Sequence, residues 1–128
     1  MNTLQKEQLK FAKDTFKFYG EKPSRRAVKP WGGCNYRSEN GKKSCAIGRH
    51  LETKLARELD DDHNGDGSNV GRIFDRLPAK LKKLGKSFLA RIQEWHDSCD
   101  NFTSVGLTED GEEDKVEIID NIKNGEFK

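Results

Sequence analysis

No apolar run in this sequence approaches the about 18–20 residues that a membrane-spanning helix needs, and its lysine-rich start contains no apolar signal core. Both absences predict a soluble protein that stays in the cytoplasm. Apolar residues are scarce altogether, at 32% against 36% charged. Scattered, they would leave the chain disordered. They recur instead at helical spacing, which predicts a fold. Cysteine is limited to Cys34, Cys45 and Cys99. An odd number without an export signal argues for reduced thiols rather than a disulfide framework. Repeats and low-complexity tracts are also missing, and 128 residues suit one domain, 1–128.

What the chain does have is a charge gradient. Residues 1–50 hold 12 Lys/Arg against 4 Asp/Glu, residues 51–107 hold 9 against 10, and residues 108–128 hold 3 against 8. A basic first half attracts phosphates or an acidic protein surface, and an acidic tail repels them. Two solvated helix faces that attract one another would give the same gradient.

Periodicity predicts a helix over 4–19, preceded by Thr3 as cap and ended by Gly20. Pro23, Pro30, Gly32 and Gly33 interrupt residues 21–33, predicting a long basic loop that ends at Trp31 to Gly33. Asn40-Gly41 between two short extended runs predicts a hairpin over 34–46, since both residues tolerate the positive φ of a tight turn. Ile47, Leu51, Leu55 and Leu59 at fourfold spacing predict a buried helix over 46–59. Further helices are expected over 70–84, broken near Pro78 and capped by Gly85, and over 87–99, with Phe88, Ile92, Trp95 and Cys99 on one face. The last helix is expected over 109–123, capped by Thr108, acidic in its first turns and buried through Val116, Ile119 and Ile122. The predicted fold is α+β and mostly helical, with four or five helices around one short antiparallel hairpin.

Several segments in order resemble a family: Cys34-Asn35-Tyr36, the Asn40-Gly41 turn, Cys45-Ala46-Ile47-Gly48-Arg49, Leu84-Gly85 with Phe88-Leu89, Ile92-Gln93 with His96-Asp97, and Gly106-Leu107-Thr108-Glu109. The pattern Cys-x-Tyr, Cys-Ala-Ile-Gly, Gln-x-x-His-Asp is similar to that of small bacteriophage and prophage proteins, over roughly residues 25–120. The resemblance implies an accessory gene, of a kind whose products bind and inhibit or redirect a host protein, defence factors included, in the host cytoplasm. It implies no catalytic residue.

Four constellations bear on chemistry. Cys45 at a helix N-terminus, with His96-Asp97 as base and orienting acid, would suit a cysteine hydrolase, but no oxyanion device or local signature accompanies it. Cys34, Cys45, His96 and Cys99 offer three thiolates and an imidazole for zinc, although Cys34 and Cys45 are spaced too widely for a knuckle. Asp60, Asp62, Asn64, Gly65 and Asp66 copy the first half of a calcium loop, whose second half fails at Gly67 and Gly71. An acidic surface loop is the better reading, and no metal or cofactor is expected. Finally, Arg25, Arg26, Lys29, Trp31, Tyr36, Arg37, Lys42 and Lys43 interleave cations with aromatics. That segment suits a protein partner through Arg, Trp and Tyr anchors, or nucleic acid or a nucleotide through phosphates and stacked bases. It is the expected contact surface of a non-enzymatic binding protein, and the sequence leaves its oligomeric state open.

Overall fold

The first helix, α1 (Thr3–Glu21), starts at the residue expected to cap it, and the cap is Asn2, one residue earlier. Asn2 Oδ1 accepts the Gln5 N–H at 2.8 Å and Gln5 Oε1 accepts the Asn2 N–H at 2.8 Å, a reciprocal capping box. The helix also runs through Gly20, where a side chain would reach only van der Waals contact with Leu107 at 3.5 Å. What stops it is Pro23, whose ring pushes the preceding Lys22 out of the helical region, to φ −148° and ψ 84°. The computed structural model describes residues 1–26, 43–62 and 70–127, and all that follows concerns those.

Five more α-helices complete the described fold: α2 (Thr53–Asp62), α3 (Val70–Ile73), α4 (Ala79–Lys82), α5 (Lys86–Asp97) and α6 (Glu109–Lys123). Helix α5 is central, burying Phe88, Leu89, Ile92 and Trp95. Trp95 meets Phe16 of α1 and Phe102 edge-on, at 4.8 and 5.0 Å between ring centroids. Truncating such an aromatic to Ala typically costs about 3–5 kcal/mol. Ile47, Leu51, Phe88, Ile92 and Trp95 share this core, with Leu55 half-buried against it. Gln8 carries its Nε2 inward to the Leu84 carbonyl at 2.8 Å, tying α1 to the turn before α5. That turn is Gly85, whose φ of +97° favours glycine. Pro78 divides the stretch from Val70 to Leu84 into α3, a 3₁₀ turn over Phe74–Arg76, and α4.

The expected α+β class is corrected to a helical one, because the described residues contain no β-strand, only isolated bridges. The first arm and turn of the expected hairpin lie outside the described residues. In the second arm, Ser44 N–H donates to the Arg25 carbonyl at 3.1 Å and its carbonyl accepts the Tyr19 hydroxyl at 2.8 Å. The Ser44 edge is thereby occupied by α1 and the 3₁₀ turn that follows it. Ser44 pairs with Arg26 in parallel instead, and Cys45, Ala46 and Ile47 are all buried, without the alternation of a one-sided strand.

The helix expected over 46–59 is also broken. A 3₁₀ turn, Gly48–His50, precedes an extended Leu51 (φ −99°, ψ 150°), and α2 begins at Thr53. Gly48 weakens helix there, and the break lets His50 stack on Phe11 at 4.7 Å while Ile47 and Leu51 remain buried. Helix α5 ends at Asp97, so Cys99 falls in a following turn and is exposed, off the apolar face assigned to it. In α6, Val116 is 53% exposed and the buried positions are Gly111, Ile118 and Ile122. Gly111 sets that rotation by lying against the Asn101 backbone. Thr108 does cap α6, accepting the Gly111 N–H at 3.0 Å.

Candidate functional site

Of the eight basic and aromatic candidates, Lys29, Trp31, Tyr36, Arg37 and Lys42 lie outside the described residues, and Arg25, Arg26 and Lys43 lie within them. The chain reaches Arg25 through the 3₁₀ turn Pro23–Arg25, anchored by a buried Pro23. Arg25 and Arg26 are half-buried rather than projecting. Arg25 Nη1 donates to the Phe18 carbonyl at 2.9 Å, with its guanidinium carbon 4.4 Å from the Phe18 ring centroid. Arg26 Nε donates to the His96 carbonyl at 2.8 Å, and its guanidinium lies 3.9 Å from the Phe102 ring centroid. Such stacking adds about 0.5–2 kcal/mol to the hydrogen bond. Lys43 is exposed.

A third guanidinium joins this group unannounced by the sequence. Arg49 lies 3.9 Å from the same Phe18 centroid, with Nη1 2.9 Å from Asp14 Oδ2. Only the break after Gly48 aims it there, and no local pattern signals such a break. Between these arginines the backbone bridge of Arg26 and Ser44 brings together the two ends of the segment spanning residues 27–43.

Beneath the bridge lies a polar cluster that runs from the buried His96 out to a partly exposed Asp97. The buried His96 ring stands edge-on to Tyr19 at 4.7 Å between centroids, and its Nδ1 is 2.8 Å from Asp97 Oδ1. Gln93 Nε2 donates to the same oxygen at 2.8 Å, and Gln93 Oε1 accepts the Ile47 N–H at 3.3 Å. Burial holds the His96 pKa below the ordinary histidine range, against the opposing influence of Asp97, so the ring is neutral at pH 7. Neutral His96 donates from Nδ1 to Asp97, which fixes the tautomer.

The His96–Asp97 half of the expected catalytic arrangement therefore exists, but as part of the core. Cys45 is fully buried and its Sγ accepts the Gly48 N–H at 3.2 Å. It precedes a single 3₁₀ turn, which has little of the dipole that activates a thiol at an α-helix N-terminus. Cys34 lies outside the described residues. Among the described residues no three His, Cys, Asp or Glu side chains are grouped to hold a metal ion. The calcium-like stretch also falls largely outside them. Asp60 is buried in the last turn of α2.

A separate cleft of about 390 Å³ lies between α1 and α4, lined by Phe11, His50, Leu81 and Leu84 with lysines at its rim. Burial, reinforced by neighbouring Arg49, pushes the His50 imidazole down to about 4. No described helix is long and apolar enough to cross a membrane. No family model matches the chain, and neither a curated protein nor a solved structure matches it.

Proposed function

We propose that the protein is a binding protein of the phage accessory type, acting in the host cytoplasm, whose segment 27–43 contacts and inhibits or redirects a host protein. The observation that carries this reading is the anchored base of that segment. Arg26 and Ser44 are paired, and Arg25, Arg26, Tyr19 and Pro23 fasten the pair to the core. Holding the ends of a segment together removes much of the entropy lost when a partner orders it. Within that segment, Trp31, Tyr36 and Arg37 are the residue types that concentrate binding energy at protein interfaces. Lys29, Lys42 and Lys43 complement an acidic surface.

Arg25 and Arg26 serve the scaffold in this reading, and the contact cations are those beyond the bridge. The test reverses Lys29, Arg37, Lys42 and Lys43 to Glu in one variant. It should melt like the parent and lose the host protein that the parent retains from lysate, as identified by mass spectrometry. With the purified target, association should slow on reversal and depend modestly on salt. Log K falling steeply with log salt on an oligonucleotide, with no host protein retained, would replace this reading by nucleic-acid binding. A variant that binds the target as tightly as the parent would overturn the assignment of the contact segment.

A further inference from the structure

Helix α1 carries Lys6, Lys10, Lys13 and Lys17 on one stripe, all exposed and none in an ion pair among the described residues. Helix α6 repeats the same spacing with the opposite sign. Glu109, Glu113, Val116 and Asp120 form its exposed stripe, and these three carboxylates are equally unpaired among the described residues. Between the stripes runs a groove of about 460 Å³ with Phe16, Leu107 and Ile119 along it, Lys13, Lys17 and Glu21 on its α1 side and Glu112 and Lys115 on its α6 side. One face thus carries the basic stripe as one rim and, beyond the paired Glu112 and Lys115 at the groove's α6 edge, the acidic stripe with its exposed valine as the other.

The rims are in register. Gln5 Nε2 donates to the carbonyls of Ile122 and Lys123 at 3.1 and 3.2 Å, and Gly20 lies beside Leu107, so α1 and α6 run antiparallel. Counting inward from those two contacts sets Lys6 level with Asn121, Lys13 with Asp114 and Lys17 with Asp110, each one residue, about 1.5 Å, from Asp120, Glu113 and Glu109. Within one molecule the stripes face outward and do not pair.

We propose that this face binds a second copy of the chain about a two-fold axis running along the groove. Rotation about that axis keeps each residue's height and exchanges α1 for α6. Lys6, Lys13 and Lys17 of one copy then stand over Asp120, Glu113 and Glu109 of the other, twice over, as an isologous contact requires. Val116 falls opposite Lys10, whose methylene stem covers it. An axis across the groove would lay lysines on lysines and is disfavoured by repulsion. Helix α6 has 15 residues. At 1.5 Å rise, a face two helices wide offers about 450 Å² per copy, below the standard interface size, so the dimer is weak and salt-sensitive. The surface is distinct from segment 27–43, and its test needs no host partner.

The experiment is sedimentation equilibrium of the full chain from about 10 μM to 1 mM, at about 50 and 500 mM salt. The parent should move from one chain mass toward two at low salt and revert at high salt. Lys6→Glu with Lys13→Glu sets acid against acid at two of the three paired positions, and Glu113→Lys with Asp120→Lys sets base against base at the same two. Each double variant alone should stay monomeric with the parent's circular dichroism. Mixed in equal amounts they should restore the dimer, because opposite charges then meet at every paired position. Should either double variant fail to fold, Val116→Glu replaces it and should be monomeric with the parent's melting temperature. A parent that is monomeric at 1 mM and low salt overturns the proposal. So does a double variant or Val116→Glu that still dimerises, or a mixture of folded double variants that stays monomeric.

Discussion

Gly111 and Asn101 approach so closely that a β-carbon on residue 111 would stand 3.1 Å from the Asn101 Cα and closer still to its carbonyl oxygen. The Gly111 carbonyl meanwhile accepts the Trp95 indole N–H at 3.2 Å, so backing away would break that bond. Gly111→Ala should therefore destabilise the protein by about 2–3 kcal/mol, although Ala is favoured over Gly in an open helix by about 1 kcal/mol. Urea denaturation measures the sign directly. A stabilised variant would mean that α6 does not pack on Asn101 as described.

Arg26 should act as a structural residue. Replacing it with Ala removes a charged hydrogen bond to the His96 carbonyl and the stack on Phe102, at a cost of about 2 kcal/mol. Arg26→Lys should recover little, because a lysine lacks both the planar group and the Nε donor. Thermal melts of the three proteins should rank them parent, Lys, Ala. A Lys variant equal to the parent would show that charge alone suffices.

Cys45 and Cys99 should differ sharply toward a thiol reagent. Cys99 is exposed, whereas Cys45 is fully buried. A short pulse of iodoacetamide followed by peptide mass spectrometry should find Cys99 modified and Cys45 untouched until denaturant is added. Native labelling of Cys45 at a comparable rate would require the turn at Gly48 to open readily.

Acid should weaken the fold through its histidines. His50 is held at about 4 against an ordinary 6.5, and His96 is also depressed. As pH drops below about 6.5 the unfolded chain takes up these protons first, so their contribution is complete above that pH. The His50 part is lost on the way down to about 4. The melting temperature should fall over that window, and His50→Phe, which keeps a ring against Phe11, should flatten part of the fall. An unchanged slope in that variant would remove His50 as a source.

The helices were legible wherever one face had a continuous stripe and an end had its own chemistry, as with Phe88, Ile92 and Trp95 behind Gly85, or Thr108 before α6. Misreadings arose where distant contacts decided. Val116 completes an apolar period with Ile119 and Ile122, but the rotation of α6 is set by Gly111 against Asn101, a contact that periodicity cannot express. Fourfold spacing from Ile47 to Leu59 fits one helix as well as a break that still buries Ile47, Leu51 and Leu59. The cationic character of the candidate site was plain in the sequence. The inward role of Arg25 and Arg26 was not, because it depends on which carbonyls, Phe18 and His96, lie within reach.

The bridge between Arg26 and Ser44 also bears on insertions between them. Lengthening a segment whose ends are fixed costs only about 0.6 kcal/mol per doubling. Residues inserted between Arg26 and Ser44 therefore add little beyond that closure cost, provided the bridge and the Tyr19 hydrogen bond to Ser44 hold.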